Sequence, residues 1–416
     1  MNANWRGKDV NLRSDVMTKE NLFFDLIQVA IGRKTSLSHT PIHSTSSGQV
    51  LDEWGELYAM AKKQSLVGVC FAGVQKLVEQ QQAPEEMLYL TWMGMAAKIQ
   101  QRNEVVSKQC VALQERFAAA GYKSAVLKGQ DYGRYYFNDN TSTSSFDSAQ
   151  DKSAQAPNPN ANDSDSSNSS NLSLLRQSGD IDLWVDGDRD EVIAWAKKEG
   201  VEIGHIDIKH SDMRFFSDTE VEVHFQPSWM YCPKTGKRLR EWFQSFKFQE
   251  FQKVPSGFMV PPLEFSLVYC MVHIYRHFFS EGIGLRQVLD MYFLLLHSSR
   301  EQREEAMHVM DKLHMRKAVS GIMYLLQECF GMDSSKLFCS ADEKLGRFLL
   351  SEMMTTGNFG HDDDRYKHLD KSLRWQRGFI GLKRNRKFLG YFPEEVLWSP
   401  LWKVWHYCWR RKKGYL

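Results

Sequence analysis

The segment GDIDLWV at residues 179–185 constrains the fold more strongly than any other part of the chain. Its polar and apolar residues alternate, which is typical of a β-strand with one buried face. Residues i and i+2 of a strand share a face, so Asp180 and Asp182 point one way while the apolar residues between them point into a core. Two carboxylates held side by side repel each other unless a cation lies between them. The segment therefore predicts a sheet with a cation-binding face.

A second alternating segment, VEVHF at residues 221–225, places Glu222 and His224 on one face of another strand. Neighbouring strands lie about 5 Å apart, so the three acids are predicted to converge on one site. Carboxylate oxygens, together with substrate phosphates, are the ligands that Mg²⁺ prefers. In the structural alternative, Asp180 and Asp182 line the exposed face of an edge strand, and Glu222 forms an ion pair with a Lys or Arg.

Periodicity divides the 416 residues into four parts. Apolar residues recur at three- and four-residue spacings in most of the first and third parts, as in amphipathic helices. The second part contains short strand patterns and one helix, which is capped by an Asp and closed by Gly200. The predicted fold class is therefore α+β, a small mixed β-sheet core flanked by helical regions. The parts are an N-terminal helical region (1–120), the α/β core (121–250), a helical domain (251–360) and a basic, Trp-rich tail (361–416).

Residues 138–173 interrupt the α/β core with a segment of different composition. It consists almost entirely of Ser, Asn, Asp, Thr, Gln, Ala and Pro, with one aromatic residue and one Leu. Such a segment buries too little apolar surface to offset the entropy of ordering it, so it is predicted to be a disordered loop. A modification tract is the functional alternative. The insertion costs the core little, because loop-closure entropy grows only logarithmically with length.

These motifs carry a resemblance to a known superfamily. A glycine at a strand-to-helix turn, an acid-x-acid pair on the next strand and a third acid on a later strand resemble the polymerase-β-like nucleotidyltransferases. More narrowly, LKG at 127–129, GDIDLWV and VEVHF, followed by the apolar helix pattern VPPLEFSLVYCMVHIYRHFF, are similar to a family of uncharacterised nucleotidyltransferases of bacteria. The resemblance covers roughly residues 50–330.

The sequence departs from the superfamily pattern at two points. The usual Gly-Ser is replaced by Lys128-Gly129-Gln130, so a phosphate-binding hydroxyl is missing. The insert also separates Gly129 from Asp180. Without its 36 residues, the step of 51 residues between them falls to 15, close to the short step of the superfamily.

The resemblance implies transfer of a nucleoside monophosphate from a nucleoside triphosphate to a hydroxyl of an unknown acceptor, with release of pyrophosphate. Asp180, Asp182 and Glu222 would be catalytic and would hold Mg²⁺ or Mn²⁺ on the phosphates. The implied nucleotide-binding residues are Lys128, Gly129 and Arg176. For Lys128 and Arg176, a structural ion pair is an equally expected role.

Three histidines are predicted to contact substrate. His224 would orient Glu222 or the acceptor, or would be a buried, hydrogen-bonded core residue. His273 and His277 lie four residues apart on one helix face, and the resemblance brings them near the cleft. The alternative is that they link packed helices, since no zinc motif accompanies them.

Charge is distributed unevenly, although the formal net charge is only +2. Fourteen Lys and Arg but three acidic residues lie from Arg365 onward, so that part carries +11 and the remainder −9. An acidic body argues against a nucleic-acid partner. The tail carries a tryptophan stripe at helical spacing beside these basic residues, which indicates packing on the helical domain, peripheral contact with an anionic membrane or stacking on nucleic acid. The stripe consists of Trp398, Trp402, Trp405 and Trp409.

Seven scattered cysteines without a CxxC pair, and a start without an apolar secretory stretch, predict a reduced, cytoplasmic setting. Three hypotheses follow from the sequence. The first is a Mg²⁺-dependent nucleotidyltransferase acting on a small molecule, sugar or protein. The second is a catalytically idle nucleotide-binding module, and the third is a peripheral membrane adaptor that acts through the tail.

Overall fold

The N-terminal region combines helices with one β-hairpin. A computed structural model describes residues 19–46, 49–137, 172–280, 282–358 and 386–415. The first elements are α1 (19–30), β1 (His43–Ser46), β2 (Gln49–Asp52), α2 (Glu53–Lys63), α3 (Val67–Val78) and α4 (Glu86–Ala119). Strands β1 and β2 pair antiparallel. The hairpin differs from the helical region predicted there, because its four-residue strands are too short and polar to show an alternation.

A five-stranded mixed sheet forms the core of the next part. Its strands are β3 (Lys123–Leu127), β4 (Ile181–Asp186), β5 (Glu202–Ile206), β6 (His210–Arg214) and β7 (Val221–His224). The spatial order is β3-β4-β7-β6-β5. Strands β4 and β7 are parallel, and the other pairs are antiparallel. The predicted α+β class with a small mixed sheet is confirmed.

Helix α7 (Arg189–Lys198) makes the crossover that a parallel pair requires. Asp188 caps its first turn by accepting hydrogen bonds from the backbone amides of Asp190 and Glu191, and Gly200 follows its end with φ +75°. One face of the sheet packs against α4 and α7 in a core that contains Ile181 and Leu183. This is the burial predicted from the alternation in GDIDLWV.

The other face of the sheet meets the helical region. Trp184, which shares the face of Asp182, stacks on Phe265 with ring centroids 5.4 Å apart. The remaining elements are α5 (Gln130–Gly133), α6 (Leu172–Leu175), α8 (Pro233–Gln244), β8 (Gln252–Lys253), β9 (Met259–Val260), α9 (Leu263–Ser280), α10 (Leu285–Leu296), α11 (Arg300–Lys312), α12 (Arg316–Phe330), α13 (Glu343–Thr356) and α14 (Pro393–Lys413).

The end of the predicted insert differs from expectation. Leu172 and Ser173 belong to helix α6, and Leu172 is buried because it joins the core that surrounds α3. The rest of the insert lies outside the described residues, so its predicted disorder stays a prediction.

Helix α14 docks on the body of the protein through its first turns. Glu395 is buried and accepts hydrogen bonds from the backbone amides of Tyr231 and Cys232. Farther along, Trp402 stacks on Trp229 at 5.6 Å. None of the helices in the described ranges combines the length and apolar character needed to cross a bilayer.

Candidate active site

The parallel pairing of β4 and β7 brings the predicted acids together. Asp182 lies opposite Glu222 in the register, and Asp180 immediately precedes β4. Oxygen atoms of the three carboxylates lie within 4.8 Å of one another. Asp182 is almost completely buried, whereas Asp180 and Glu222 are partly exposed. The predicted convergence is therefore present in the fold, although residues 187–220 of the chain lie between β4 and β7.

Lys128 points its ammonium group into this cluster. Its Nζ lies 2.9 Å from Oδ2 of Asp182 and 3.6 Å from Oδ2 of Asp180. The turn that directs it there is unusual, because Lys128 has φ +36° and Gly129 has φ +53°. Positive φ values favour glycine, which explains why the motif has a glycine at position 129. In this structure, Lys128 is thus the ion-pair partner of the acids, which was one of its two predicted roles.

His224 contacts two of the acids through one ring nitrogen. Its Nε2 lies 2.9 Å from Oδ1 of Asp182 and 3.2 Å from Oε2 of Glu222, and its side chain is 1% exposed. This geometry fits both predicted roles of His224, a buried, hydrogen-bonded residue and an orienting group for Glu222, and the orienting role stays a prediction. The contact arises because His224 and Glu222 share a strand face and Asp182 is Glu222's neighbour in the register.

The charges in the cluster shift the pKa values of its members in opposite directions. Burial raises the pKa of Asp180, and the neighbouring Asp182 and Glu222 add to the rise against the opposing effect of Lys128. Burial would also raise the pKa of Asp182, but Lys128 and the hydrogen bond with His224 hold it below its ordinary value. The cluster therefore keeps Asp182 ionised, as a metal ligand must be.

Glu222 is held more strongly in the ionised form. Burial would raise its pKa, but the Lys209 ammonium, the hydrogen bond with His224 and the charge of His210 bring it well below its ordinary value. The Nζ of Lys209 lies 3.3 Å from Oε2 of Glu222. Neither Lys209 nor His210 was predicted to belong to the site. Lys209 precedes β6 and His210 begins it, and only the pairing of this strand with β7 could have indicated that they reach Glu222.

The donor set of the three acids fits a hard divalent cation. Oδ2 of Asp182 is buried and accepts no hydrogen bond within the described residues, and only the Lys128 ammonium faces it in an ion pair. Such an oxygen, flanked by two further carboxylates, matches the oxygen ligands of Mg²⁺ or Mn²⁺. Asp180, Asp182 and Glu222 are the residues that would hold the ion.

The acids open onto two different concave surfaces. A narrow crevice is lined by Lys128, Gly129 and Asp180 together with residues of α9 and α10. Glu222 instead lines an open cleft of about 490 Å³ along β5, β6 and the loop before β7. The carboxylate cluster therefore faces the crevice through Asp180 and the open cleft through Glu222.

Arg176 forms a buried ion pair at the wall of the crevice. Its Nε and Nη2 donate to the two carboxylate oxygens of Asp290 at 2.6 and 2.7 Å, and Tyr136 donates to the same carboxylate at 2.6 Å. Arg286, on the same helix as Asp290, donates to the carbonyl oxygen of Gln177 at 2.9 Å. Arg176 therefore has the structural ion pair that was its alternative, and a contact with nucleotide stays a prediction.

His273 and His277 lie together on α9, with ring centroids 4.3 Å apart. His273 lines the crevice beside Asp180 and Lys128, but His277 is not among the crevice residues. Burial lowers the pKa of His273 well below its ordinary value, and the charges of His277 and Lys128 lower it further. His273 is thus a neutral group at the crevice, which suits the predicted contact with substrate better than His277 does.

An acid-x-acid strand, a third acid on the adjacent parallel strand and a glycine turn with positive φ define a nucleotidyltransferase-like core. Comparison with known families gives the same class. The family model of an uncharacterised nucleotidyltransferase matches residues 51–142 and 173–331, and the chain belongs to this family of transferases. The gap in the match falls inside the predicted insert. A search of curated proteins gave no significant match.

Proposed function

We propose that the protein transfers a nucleoside monophosphate from a nucleoside triphosphate to a hydroxyl group of a small molecule, a sugar or a protein, in a reaction that depends on Mg²⁺ or Mn²⁺. The observation that carries this proposal is the register of β4 and β7, which sets Asp182 opposite Glu222 with Asp180 beside them. A divalent ion held there would neutralise charge on the phosphates and acidify the attacking hydroxyl.

The residues of the chain would prepare the site for this ion. Asp180, Asp182 and Glu222 supply anionic oxygens, and His224 fixes the orientation of two of them through its hydrogen bonds. Lys128 stands within ion-pair distance of two acids and can turn to the triphosphate when a cation takes its place. The backbone at Gly129 carries no side chain, so phosphate can approach closely.

The open cleft supports a neutral or cationic acceptor. It begins at Glu222 and is lined by more acidic than basic residues, the charged ones being Glu202, Asp212, Arg214, Asp218, Glu220 and Glu222. A polyanion such as a nucleic acid would meet carboxylates there rather than the Lys and Arg that neutralise phosphates. This agrees with the acidic balance of the chain outside its tail.

The test uses α-labelled nucleoside triphosphates and a cell extract as the source of acceptor. We expect label to enter one acceptor class and pyrophosphate to be released only with Mg²⁺ or Mn²⁺. Asp182→Asn should lower the rate by about 10²-fold or more, because an ionic metal ligand is lost. Glu343→Gln, at an exposed acid of α13 outside both concave surfaces, should leave the rate unchanged. Undiminished transfer by folded Asp182→Asn would refute the site.

The catalytically idle module remains the second candidate, and Lys128 favours it. An ammonium at 2.9 Å from Asp182 partly neutralises the acids without a metal, and the hydroxyl of the usual Gly-Ser is missing. Calorimetry would then show binding of triphosphate without transfer to any acceptor. Detectable label transfer would exclude this reading.

The third candidate function is contact of the tail with an anionic membrane. Leu397, Leu401 and Val404 of α14 are each more than 60% exposed, and the helix ends in four basic residues, Arg410, Arg411, Lys412 and Lys413. Sedimentation with vesicles that contain phosphatidylserine tests it, with Leu401→Glu as the disrupting variant. A cytoplasmic location remains our proposal on the basis of the cysteine pattern.

A further inference from the structure

A second group of metal-ligating side chains overlaps the three acids at Glu222, and its His210 has no role in the proposed reaction. Strands β6 and β7 pair antiparallel with His210 directly opposite His224. Glu222 lies two residues before His224, so all three side chains share one face of the sheet. One ligand atom from each of the three lies within 4.8 Å of the others, and the two imidazole rings are 5.3 Å apart.

The two imidazoles differ in the nitrogen that faces Glu222, which has no hydrogen bond among the described residues in His210 and is hydrogen-bonded in His224. His210 is 7% and His224 is 1% exposed, and Nδ1 of each makes no hydrogen bond within the described residues. The Nδ1 of His210 lies 3.3 Å from Oε2 of Glu222, and the Nε2 of His224 lies 3.2 Å from the same oxygen. Two buried imidazole nitrogens thus face one carboxylate oxygen.

The far side of His210 has the partner that metal-ligating histidines have. Its Nε2 lies 3.2 Å from Oδ1 of Asp212 on the same strand. A carboxylate on the outer nitrogen selects the tautomer in which Nδ1 carries no proton and can ligate a metal. His224 presents Nε2 to the same carboxylate, and this nitrogen would exchange its hydrogen bonds with Asp182 and Glu222 for the ion.

The charge of Glu222 is compensated here by a group that a metal ion can replace. The Lys209 ammonium lies 3.3 Å from Oε2 and 5.4 Å from the centre of the Trp229 ring. Lysine has a flexible four-carbon stem, so its ammonium can move toward the ring when an ion arrives. Oε2 of Glu222 therefore lies close to three nitrogen atoms, Nζ of Lys209, Nδ1 of His210 and Nε2 of His224.

We propose that His210, Glu222 and His224 form a second metal site, which takes a transition ion such as Mn²⁺, Co²⁺ or Zn²⁺ rather than Mg²⁺. Two imidazoles and one carboxylate are the donor set of such ions, whereas Mg²⁺ selects oxygen ligands. Glu222 bridges this site and the site of the three acids. The inference shares that residue with the proposed function, but the binding itself requires no transfer reaction.

The test measures nitrogen coordination directly. The full chain, stripped with a chelator, is titrated with Mn²⁺, and pulsed electron paramagnetic resonance counts the directly coordinated ¹⁴N nuclei. We expect two in the wild-type protein and at most one in His210→Ala, with Mn²⁺ affinity of this site at least about tenfold weaker. His205→Ala, an exposed histidine of β5, should keep both nitrogens.

Two further variants separate this site from the transfer reaction. Asp180→Asn should weaken metal binding at the three acids and retain both coordinated nitrogens. His210→Gln also removes the imidazole of His210 and replaces His210→Ala if that variant fails to fold, which circular dichroism checks. Fewer than two coordinated nitrogens in the wild type, or two in both folded His210 variants, would overturn the proposal. Loss of nucleotidyl transfer with intact nitrogen coordination would instead count only against the proposed function.

Discussion

Replacing Asp290 by Ala tests whether Arg176 holds the crevice together. The side chains of Arg176 and Asp290 are 5% and 3% exposed, and two short hydrogen bonds join the guanidinium to the carboxylate. Tyr136 donates to the same carboxylate. The substitution therefore leaves a buried guanidinium and a buried hydroxyl without their common acceptor.

The expected cost follows from this burial. Removing one partner of a buried, hydrogen-bonded ion pair costs about 3–5 kcal/mol, mostly because the remaining charge is not solvated. We expect Asp290→Ala to lower the free energy of unfolding by that amount. The double variant Arg176→Met with Asp290→Leu should recover most of the loss, since an apolar pair of similar volume removes the unpaired charge.

The assay is urea unfolding followed by tryptophan fluorescence, at low and at high salt. The loss in Asp290→Ala should be insensitive to NaCl, because a buried pair is not screened. Arg300→Ala is the control, since its pair with Glu304 lies four residues along an exposed helix face and should contribute little. A loss below about 1 kcal/mol for Asp290→Ala would refute the structural role and restore Arg176 as a free nucleotide ligand.

Three other predictions concern packing, the tail and pH. Gly68→Ala should destabilise the protein by about 1–3 kcal/mol, because the added Cβ would lie 2.2 Å from a carbonyl oxygen of α6. Gly94→Ala, whose Cβ would have nothing within 4 Å, should stabilise it by about 0.5–1 kcal/mol. Thermal unfolding that shifts both variants in the same direction would contradict this. Glu395→Ala should speed tryptic cleavage in α14, while Glu394→Ala, at a partly exposed ion pair, should not; equal rates would contradict the anchoring role. Burial lowers the pKa of His273 below 6.5, so the unfolded chain takes up the proton first as pH falls. The free energy of unfolding should therefore decrease below about pH 6.5, by at most about 1.4 kcal/mol per pH unit. His273→Gln should make this pH dependence shallower, and an unchanged pH dependence of the urea midpoints would refute the prediction.

The sequence predicts those parts of the site that depend on local periodicity. Alternation in two short segments fixes which side chains share a face, and strand spacing then brings Asp182 and Glu222 together. The same rule places the intervening apolar residues in the core, as the structure has them. The shared faces follow from six or seven residues of local sequence, whereas the meeting of Asp182 and Glu222 also requires that β4 and β7 pair, as they do in the structure.

Contacts between distant segments could not be read from any pattern. Arg176 and Asp290 are separated by 114 residues, and nothing in either segment identifies the other as its partner. Lys209 and His210 reach Glu222 only because β6 pairs antiparallel with β7 in one particular register. A one-residue shift would turn His210 to the opposite face, so its role depends on a pairing that the sequence does not specify.

The charges of the site explain why lysines accompany the acids. Asp180, Asp182 and Glu222 together carry up to three negative charges, and in the structure Lys128 and Lys209 offset two of them. A divalent ion supplies two further positive charges, so its binding would leave one ammonium group in excess. A triphosphate brings the negative charge that compensates this excess. Metal and nucleotide should therefore bind with mutual reinforcement, since each removes the charge imbalance that the other creates.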